Sequence, residues 1–583
     1  MYDIMEERVT LVESLEKKRQ PFPEMDVIYF VTPSVESVTK VVEDFKGQAM
    51  YRNVHIFFLS RVDAAAMAVL QANPKLVGRI KTFKEINVDF RVAEPFVFHL
   101  DMPPALAFRD LFVDSTTAFV QSLAAKLFTV CASLHECPLV RCRANSPMEM
   151  VGMKLVGMLA ELKASGGWWH YGMPGHQERP GSVLLLLDRS EDLASPLLHA
   201  CNYQSLVNDL LEVKDNVVTT DVNGKKTEVL LSQKDELWVK FKHQHIAEVI
   251  DGLTAYLSDF KARHKGVSAL NNKGAAGKGT GDSSNSDAAS QSVADLGAVV
   301  KAMPEYQAQL AMYSLHNSLA SKCTKMLQAK DGALLNQIND VEQTLVTGFD
   351  QDGAPLKMQS VLDAMMDSLM AGDLSFKLRL TLLLVATQRE KLKDADLDRA
   401  CAMAGFAEED KAVITNLQSL LGGGSSSSPQ TPGGQVEAAG GNTKKKGLFF
   451  SPRSLFGPSP TSGAANKPEV FDYPSARFTP PLKPIVNELA NDKLSTTDFP
   501  KVPGQENQSN AAAAPQSMRR APGWAAKKSA FSGGRNFVFV AGGVTHAEMK
   551  AAADVSAATN KEVILGGTSI LTPNEYLNAL REI

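Results

Sequence analysis

Cysteine is scarce in this sequence: six in 583 residues, at Cys131, Cys137, Cys142, Cys201, Cys323 and Cys401, with no CxxC pair among them. That excludes a disulfide framework and fits a chain of free thiols kept in a reducing, cytoplasmic compartment. A long apolar run is also missing. Stretches such as 183–187 and 537–541 fall far short of the 18 or more residues that span a bilayer. The opening residues 1–20 are charged throughout and hold no apolar core of the signal-peptide kind. Membrane association, if any, therefore comes through a partner or a surface patch. Charge of one sign is not in excess either. Lys and Arg number 61 against 65 Asp and Glu, a net charge of −4, which argues against a nucleic-acid footprint spread over the surface. What the chain does have is 44% hydrophobic and 22% charged residues, the composition of a globular protein. It is too long for one core and implies roughly two to four domains.

Three low-complexity stretches, 266–293, 422–467 and 505–534, are rich in Gly, Ser, Asn, Ala or Pro and read as disordered loops. The segments between them change type along the chain. A charged helix is followed by a short apolar strand at 26–32, a second helix after Pro33-Ser34, and a second strand at 54–59. Strands apolar on both faces that alternate with amphipathic helices imply a parallel sheet covered on both sides. The same holds for 183–187 and 536–540. From 294 to 421 apolar residues recur at helical spacing with almost no strand signal, so this is a helical region. The α/β pattern then returns: a strand at 537–540, a turn at Gly542-Gly543, a helix at 545–558, a strand at 563–565 and a turn at Gly566-Gly567. The last helix starts at Thr572-Pro573, a good cap and first-turn pair. Strands too few for their own sheet complete an earlier one, which makes the helical region an insertion within an α/β domain.

The search for chemistry ends without a site. Asp188 closes an apolar strand, where open α/β sheets place functional groups, and this is the one opening for a nucleotide-using enzyme. The plainer reading is that Asp188 and Arg189 pair or cap a turn, before a helix capped by Ser195-Pro196. The phosphate-loop lookalike at 274–280 has Asn272 where glycine is required, glycine after Lys278, and no preceding strand. Cys131, His135, Cys137 and Cys142 lack zinc spacing, and His243, His245 and Glu248 lack the i, i+4 histidine pair. No metal, cofactor or catalytic residue is assigned. Basic groups at 444–446, Arg519-Arg520 and Lys527-Lys528 beside Trp524 offer weak contact with anionic lipid, the basis of a lipid-touching scaffold alternative. Ser428, Ser451 and Ser459, each followed by proline, are phosphoacceptor positions of low information.

Motifs distributed along the chain carry more. Leu187-Asp188-Arg189-Ser190, Ser195-Pro196-Leu197-Leu198-His199, Tyr203-Gln204 and Asp209-Leu210-Leu211 resemble the LDR…SPLLH…YQ…DLL signature of the SM family, the Sec/Munc-type syntaxin-binding proteins. Asp235-Glu236-Leu237-Trp238 with His243, His245 and Glu248 resembles a second block of that family. Met303-Pro304-Glu305-Tyr306-Gln307 with Tyr313-Ser314-Leu315-His316 resembles a third, and Val341-Glu342-Gln343 a fourth. Lys377-Leu378-Arg379-Leu380, Arg477-Phe478-Thr479-Pro480 and the two Gly-Gly segments continue the order to the C-terminus. The pattern is most similar to the exocytic, plasma-membrane branch.

The resemblance implies α/β architecture plus a mainly helical insertion: a three-domain arch with two parallel-sheet domains and a helical domain inserted in the second. The expected bounds are 1–111 for domain one, 112–250 and 477–583 for domain two, and 251–476 for domain three. The implied function is that of a non-enzymatic, monomeric regulator of vesicle docking and membrane fusion. It would bind a syntaxin-type SNARE, the assembled SNARE complex and a vesicle SNARE, with no nucleic acid and no cofactor, recruited to membranes through partners. Partner-binding positions on this basis are Lys17, Lys18, Arg19, Tyr51 and Arg52 in domain one, and Pro304, Tyr306, Tyr313 and His316 in domain three. Proline at 304 suits a hinge of a helical hairpin, because it cannot donate the i to i−4 hydrogen bond. Two departures from the family pattern stand out. Members open with a strand of the VLIVD type and a helix before the equivalent of Met1, so the first sheet is expected to be incomplete. The pocket for a syntaxin N-terminal peptide has Ala125 at its acidic position, with Phe108 or Phe112 as its aromatic contact.

Overall fold

The structure, a computed structural model, describes residues 2–47, 50–110, 117–164, 181–222, 225–263, 293–328, 332–371, 373–422, 473–505 and 531–583. The readings made above at Phe112, 274–280, Ser428, 444–446, Ser451, Ser459, 519–520, Trp524 and 527–528 lie outside them. The chain forms two compact units. One comprises Met1–Asp188, Val486–Gly543 and Val555–Ser569; the other comprises Arg189–Ile485, Val544–Asp554 and Ile570–Ile583.

The first unit opens with the expected strands. Val27–Val31 and Val54–Phe58 pair with each other and with a third strand, Ile80–Glu85, that the sequence reading did not assign; they run in that order, all parallel. Ser34 caps the helix Val35–Glu43 by accepting from the Ser37 N–H, and Asp63 caps Ala64–Gln71 in the same way. Val38, Val41, Val42, Ala66 and Leu70 from these helices pack on Tyr29, Val31, Val54, Ile56 and Phe58. The expectation of cover on both sides fails here. Ile28 and Phe30, which alternation turns to the opposite face, are 62% and 61% exposed.

The second sheet of this unit has six strands in the order Arg91–Glu94, Val97–His99, Val563–Gly567, Asn536–Ala541, Val183–Asp188 and Leu139–Cys142. Only the first pair is antiparallel. Strands near the C-terminus thus complete a sheet begun far earlier in the chain, as Asn536 opposite Val183 illustrates. Every residue of Asn536–Ala541 is buried, as a strand covered on both faces requires. A division at 111/112 would cut 91–99 from these hydrogen-bonding partners, so on backbone pairing those residues go with the second sheet. The edge strand Leu139–Cys142 is itself covered. Cys142 and Ala144 donate to the carbonyls of Pro500 and Asp498, Val502 donates to Val140, and the Gln505 amide bonds both backbone groups of Val140. An unpaired edge is thereby closed.

The two Gly-Gly pairs differ. Gly542 and Gly543 take φ of +94° and +96° and make the turn read from sequence. Gly566-Gly567 instead ends a strand, correcting the expected turn. A Cβ on Gly566 would lie 2.1 Å from Cζ of Phe98, so the glycine is there to admit that ring.

The second unit is mainly helical, with an antiparallel sheet of Lys225–Leu230, Val217–Val222 and Val213–Lys214. Ser195-Pro196 does not cap a helix. Residues 193–200 form turns, and the helix Tyr203–Leu210 begins later with Asn202 accepting from the Ser205 N–H. At the C-terminus Thr572 caps Pro573–Arg581 as expected and exchanges bonds with Glu575 in a capping box.

Candidate interaction surfaces

Asp188 does end a parallel strand, but it is 2% exposed and accepts a hydrogen bond from Ser146 Oγ at 2.6 Å. There it holds the start of the helix Met148–Ala164, whose first N–H is also bonded to Ser146 Oγ. Arg189 serves the second unit. Its guanidinium grips Glu548 at 2.9 and 2.6 Å while Nε donates to the Asp192 carbonyl at 2.7 Å. Both side chains are about 1% exposed. Glu548 in turn accepts from the Thr545 N–H and hydroxyl, so one carboxylate caps a helix and neutralises Arg189. Among the described residues no group of three metal-ligating side chains is placed to hold a metal ion, and no helix is long and apolar enough to cross a membrane.

Of the partner-binding positions expected in the first unit, Lys17, Lys18 and Arg52 are exposed. Arg52 pairs with Asp26 at 3.0 Å. Arg19 and Tyr51 are scaffold instead. Arg19 Nη2 reaches both oxygens of Asp44 at 2.8 Å, Tyr29 donates to the same carboxylate at 2.6 Å, and Tyr51 meets the Tyr29 ring edge-on. Burial, reinforced by Asp44, pushes the Tyr29 phenol far above its ordinary range, so it remains a donor. Phe108 is fully buried, which corrects its assignment as an open aromatic contact. The apolar surface on this sheet is supplied by Ile28 and Phe30.

In the second unit, Tyr306 and His316 are core residues, not surface ones. Tyr306 stacks on Phe260 with ring centroids 5.0 Å apart. His316 is held between Tyr203 OH, 2.9 Å from Nδ1, and Asp235 Oδ2, 2.8 Å from Nε2, with Trp238 stacked on its ring. Burial pushes the Tyr203 phenol well above its ordinary range, so it stays protonated beside the ring. Burial alone would raise Asp235, but His316 and the N–H groups of Trp238 and Leu237 hold it below its ordinary value. Tyr313 is half-buried against the same core. Pro304 lies within one helix, Val293–Gln328, so the backbone runs through the proline where a hairpin was expected. At 36 residues it is roughly 54 Å long.

Burial also lowers the reactivity of three cysteines. It pushes the thiols of Cys142 and Cys201 up to about 11 and that of Cys323 up to about 12. Because the thiolate is the reacting species, alkylation of these three at neutral pH is expected to run at least about tenfold slower in the native than in the unfolded chain. Peptide mapping after timed maleimide quenching reads this directly; equal rates in the two states would contradict it.

The sequence reading missed Arg379, which is 2% exposed, donates to the Leu197 carbonyl at 2.9 Å and forks onto Asp209 at 2.9 and 3.0 Å. It also missed Glu342, fully buried and bonded to both Nδ1 and the backbone N–H of His199. Both residues stood inside motifs already singled out, and a charge within a helical apolar stretch such as Leu374–Gln388 was the available signal.

The chain matches the family model described as Sec1 family over residues 1–579. Over its full length it is 30% identical to "Protein transport protein sec1" of Dictyostelium discoideum, covering 91% of that protein. It is 28% identical to "SNARE-interacting protein KEULE" of Arabidopsis thaliana, covering 89%. Among solved structures it is similar to the "Unc18-syntaxin 1 complex from Monosiga brevicollis", with a TM-score of 0.71 at 24% identity, covering all of this chain and 92% of that one.

Proposed function

The chain belongs to the Sec1 family, and from that premise we propose that it binds SNARE proteins of the syntaxin type and regulates the docking and fusion of transport vesicles. The observation that carries the reading is the extent of the match, residues 1–579. Relatives named for protein transport and for SNARE interaction support it, as does a shared fold with a protein solved bound to syntaxin. It carries with it a three-domain arch, no catalytic step, and recruitment to membranes through partners.

On this reading the surface that engages the partner is built from groups that are exposed. In the first unit these are Lys17, Lys18 and Arg52 together with Ile28 and Phe30. In the second they are the exposed residues of the helix Val293–Gln328, among them Gln307, Ser314 and Asn317. Tyr306 and His316 fix that helix to its unit from inside: Leu315, Leu319, Ala320 and Cys323 join Tyr203 and Trp238 in one core. Lysines beside an apolar sheet face suit a helix that carries an acidic and an apolar stripe.

Pull-down of recombinant cytosolic SNARE domains from the same organism tests the proposal. The full chain is expected to retain a syntaxin-type SNARE, and Lys17→Glu with Lys18→Glu to weaken that binding about tenfold, mostly at low salt. A folded chain that retains no syntaxin-type SNARE overturns the reading.

A further inference from the structure

The strand Val27–Val31 is an outer strand of its sheet, paired on one side only, with Val54–Phe58. The register decides which backbone groups that pairing uses. The Val27 N–H donates to the Asn53 carbonyl and the Leu59 N–H to the Val31 carbonyl, so Val27, Tyr29 and Val31 turn their N–H and C=O groups toward Val54–Phe58. Alternation turns those of Ile28 and Phe30 outward, and no described residue bonds them. The same two residues carry the exposed side chains of the open sheet face.

Sheet edges are ordinarily guarded by charge, proline or a bulge. The opposite edge is guarded in this way: Lys81 and Lys84 stand exposed on Ile80–Glu85, and the pairing of that strand is irregular at Val54/His55. Val27–Val31, with the sequence VIYFV, has no such guard. What fits this edge is its own copy. With two such strands antiparallel about a twofold axis at Tyr29, each Ile28 lies opposite Phe30 of the second copy. Both residues point their backbone groups outward, so each pair exchanges two hydrogen bonds. All the outward groups of Ile28 and Phe30 are then used, and an aliphatic side chain packs beside an aromatic one across the strands. The flanks agree with this register. Asp26 comes opposite Thr32 and Glu24 opposite Ser34, so no like charges meet.

We propose that the chain self-associates through the edge of Val27–Val31, forming a twofold dimer in which two three-stranded sheets join into one of six strands. A strand of five residues covers far less than the roughly 1,000 Å² that a stable interface needs. The dimer is therefore weak and grows with concentration, and the monomer expected from the sequence is its dilute form. The pairing does not rest on the SNARE reading, because it is measured with no SNARE present.

Sedimentation equilibrium of the full chain alone, over about 1–200 µM, tests it, with half-dimerisation expected at roughly 10–100 µM. Ile28→Lys alone and Phe30→Glu alone each set a charge against an apolar side chain twice per dimer, and each should weaken association about fivefold. Both side chains are exposed, and unchanged urea midpoints check that the variants fold. A chain carrying both changes sets each new lysine opposite a new glutamate in this register and should recover most of the loss. A chain still monomeric at about 200 µM, single variants that associate as well as the unmodified chain, or a double variant no better than the weaker single each overturns the pairing. If the chain stays monomeric and Ile28→Lys instead weakens SNARE retention, the edge belongs to the SNARE and the dimer is overturned.

Discussion

Arg189→Met destabilises the second unit by about 3–5 kcal/mol, the usual result of removing one partner from a fully buried ion pair. Two carboxylates lose their cation at once. Glu548 is gripped through both oxygens, and Asp192 lies 3.6 Å from the same guanidinium while it accepts from the Ala194 and Ser195 N–H groups. Burial already pushes Asp192 up, and Arg189 is the main force drawing it back. Without Arg189, Asp192 therefore takes up a proton more readily, and the loss relative to the unmodified chain shrinks as pH falls. Urea unfolding of Arg189→Met, Glu548→Leu and the double variant measures the coupling. A double variant costing the sum of the two single losses would refute the pairing.

The second large effect is expected at Arg379. Replacement by Met leaves Asp209 buried without its cation and the Leu197 carbonyl without a donor, for a loss again of about 3–5 kcal/mol. Arg379→Lys separates charge from geometry. A lysine restores the charge but cannot fork onto both Asp209 oxygens and reach Leu197 together, so it should recover less than half. Equal stability of the lysine variant and the unmodified chain would show that charge alone suffices. Because residues 193–200 have no helix of their own, their position rests on these bonds, and the SPLLH run is held by what grips it from outside.

Strand pairing was legible where composition is unambiguous. The apolar runs at 183–187 and 536–540 were read as strands of one sheet, and Asn536–Ala541 lies beside Val183–Asp188. The helical middle was legible from period alone. Less so were features set by distant contacts. Tyr306 and His316 look like surface contacts in a motif, yet the burial of His316 depends on Asp235 and Tyr203, far away in sequence. Ile28 and Phe30 look like core residues, yet no described element covers them. Gly566 looked like a turn because its partner, the Phe98 ring, cannot be seen in a one-dimensional pattern. The candidate surface was accordingly legible in its lysines and hidden in its apolar part.

The long reach of the Arg189–Glu548 pair sets a clock on biosynthesis. The two residues are 359 positions apart, so at about 5–20 residues per second the ribosome needs roughly 20–70 s to supply the carboxylate after it has made the guanidinium. The strand Val183–Asp188 waits nearly as long for its neighbour Asn536–Ala541. Throughout that interval the nascent chain carries an open sheet edge and an arginine that lacks one of its two carboxylates, a span in which chaperones have to keep it from aggregating.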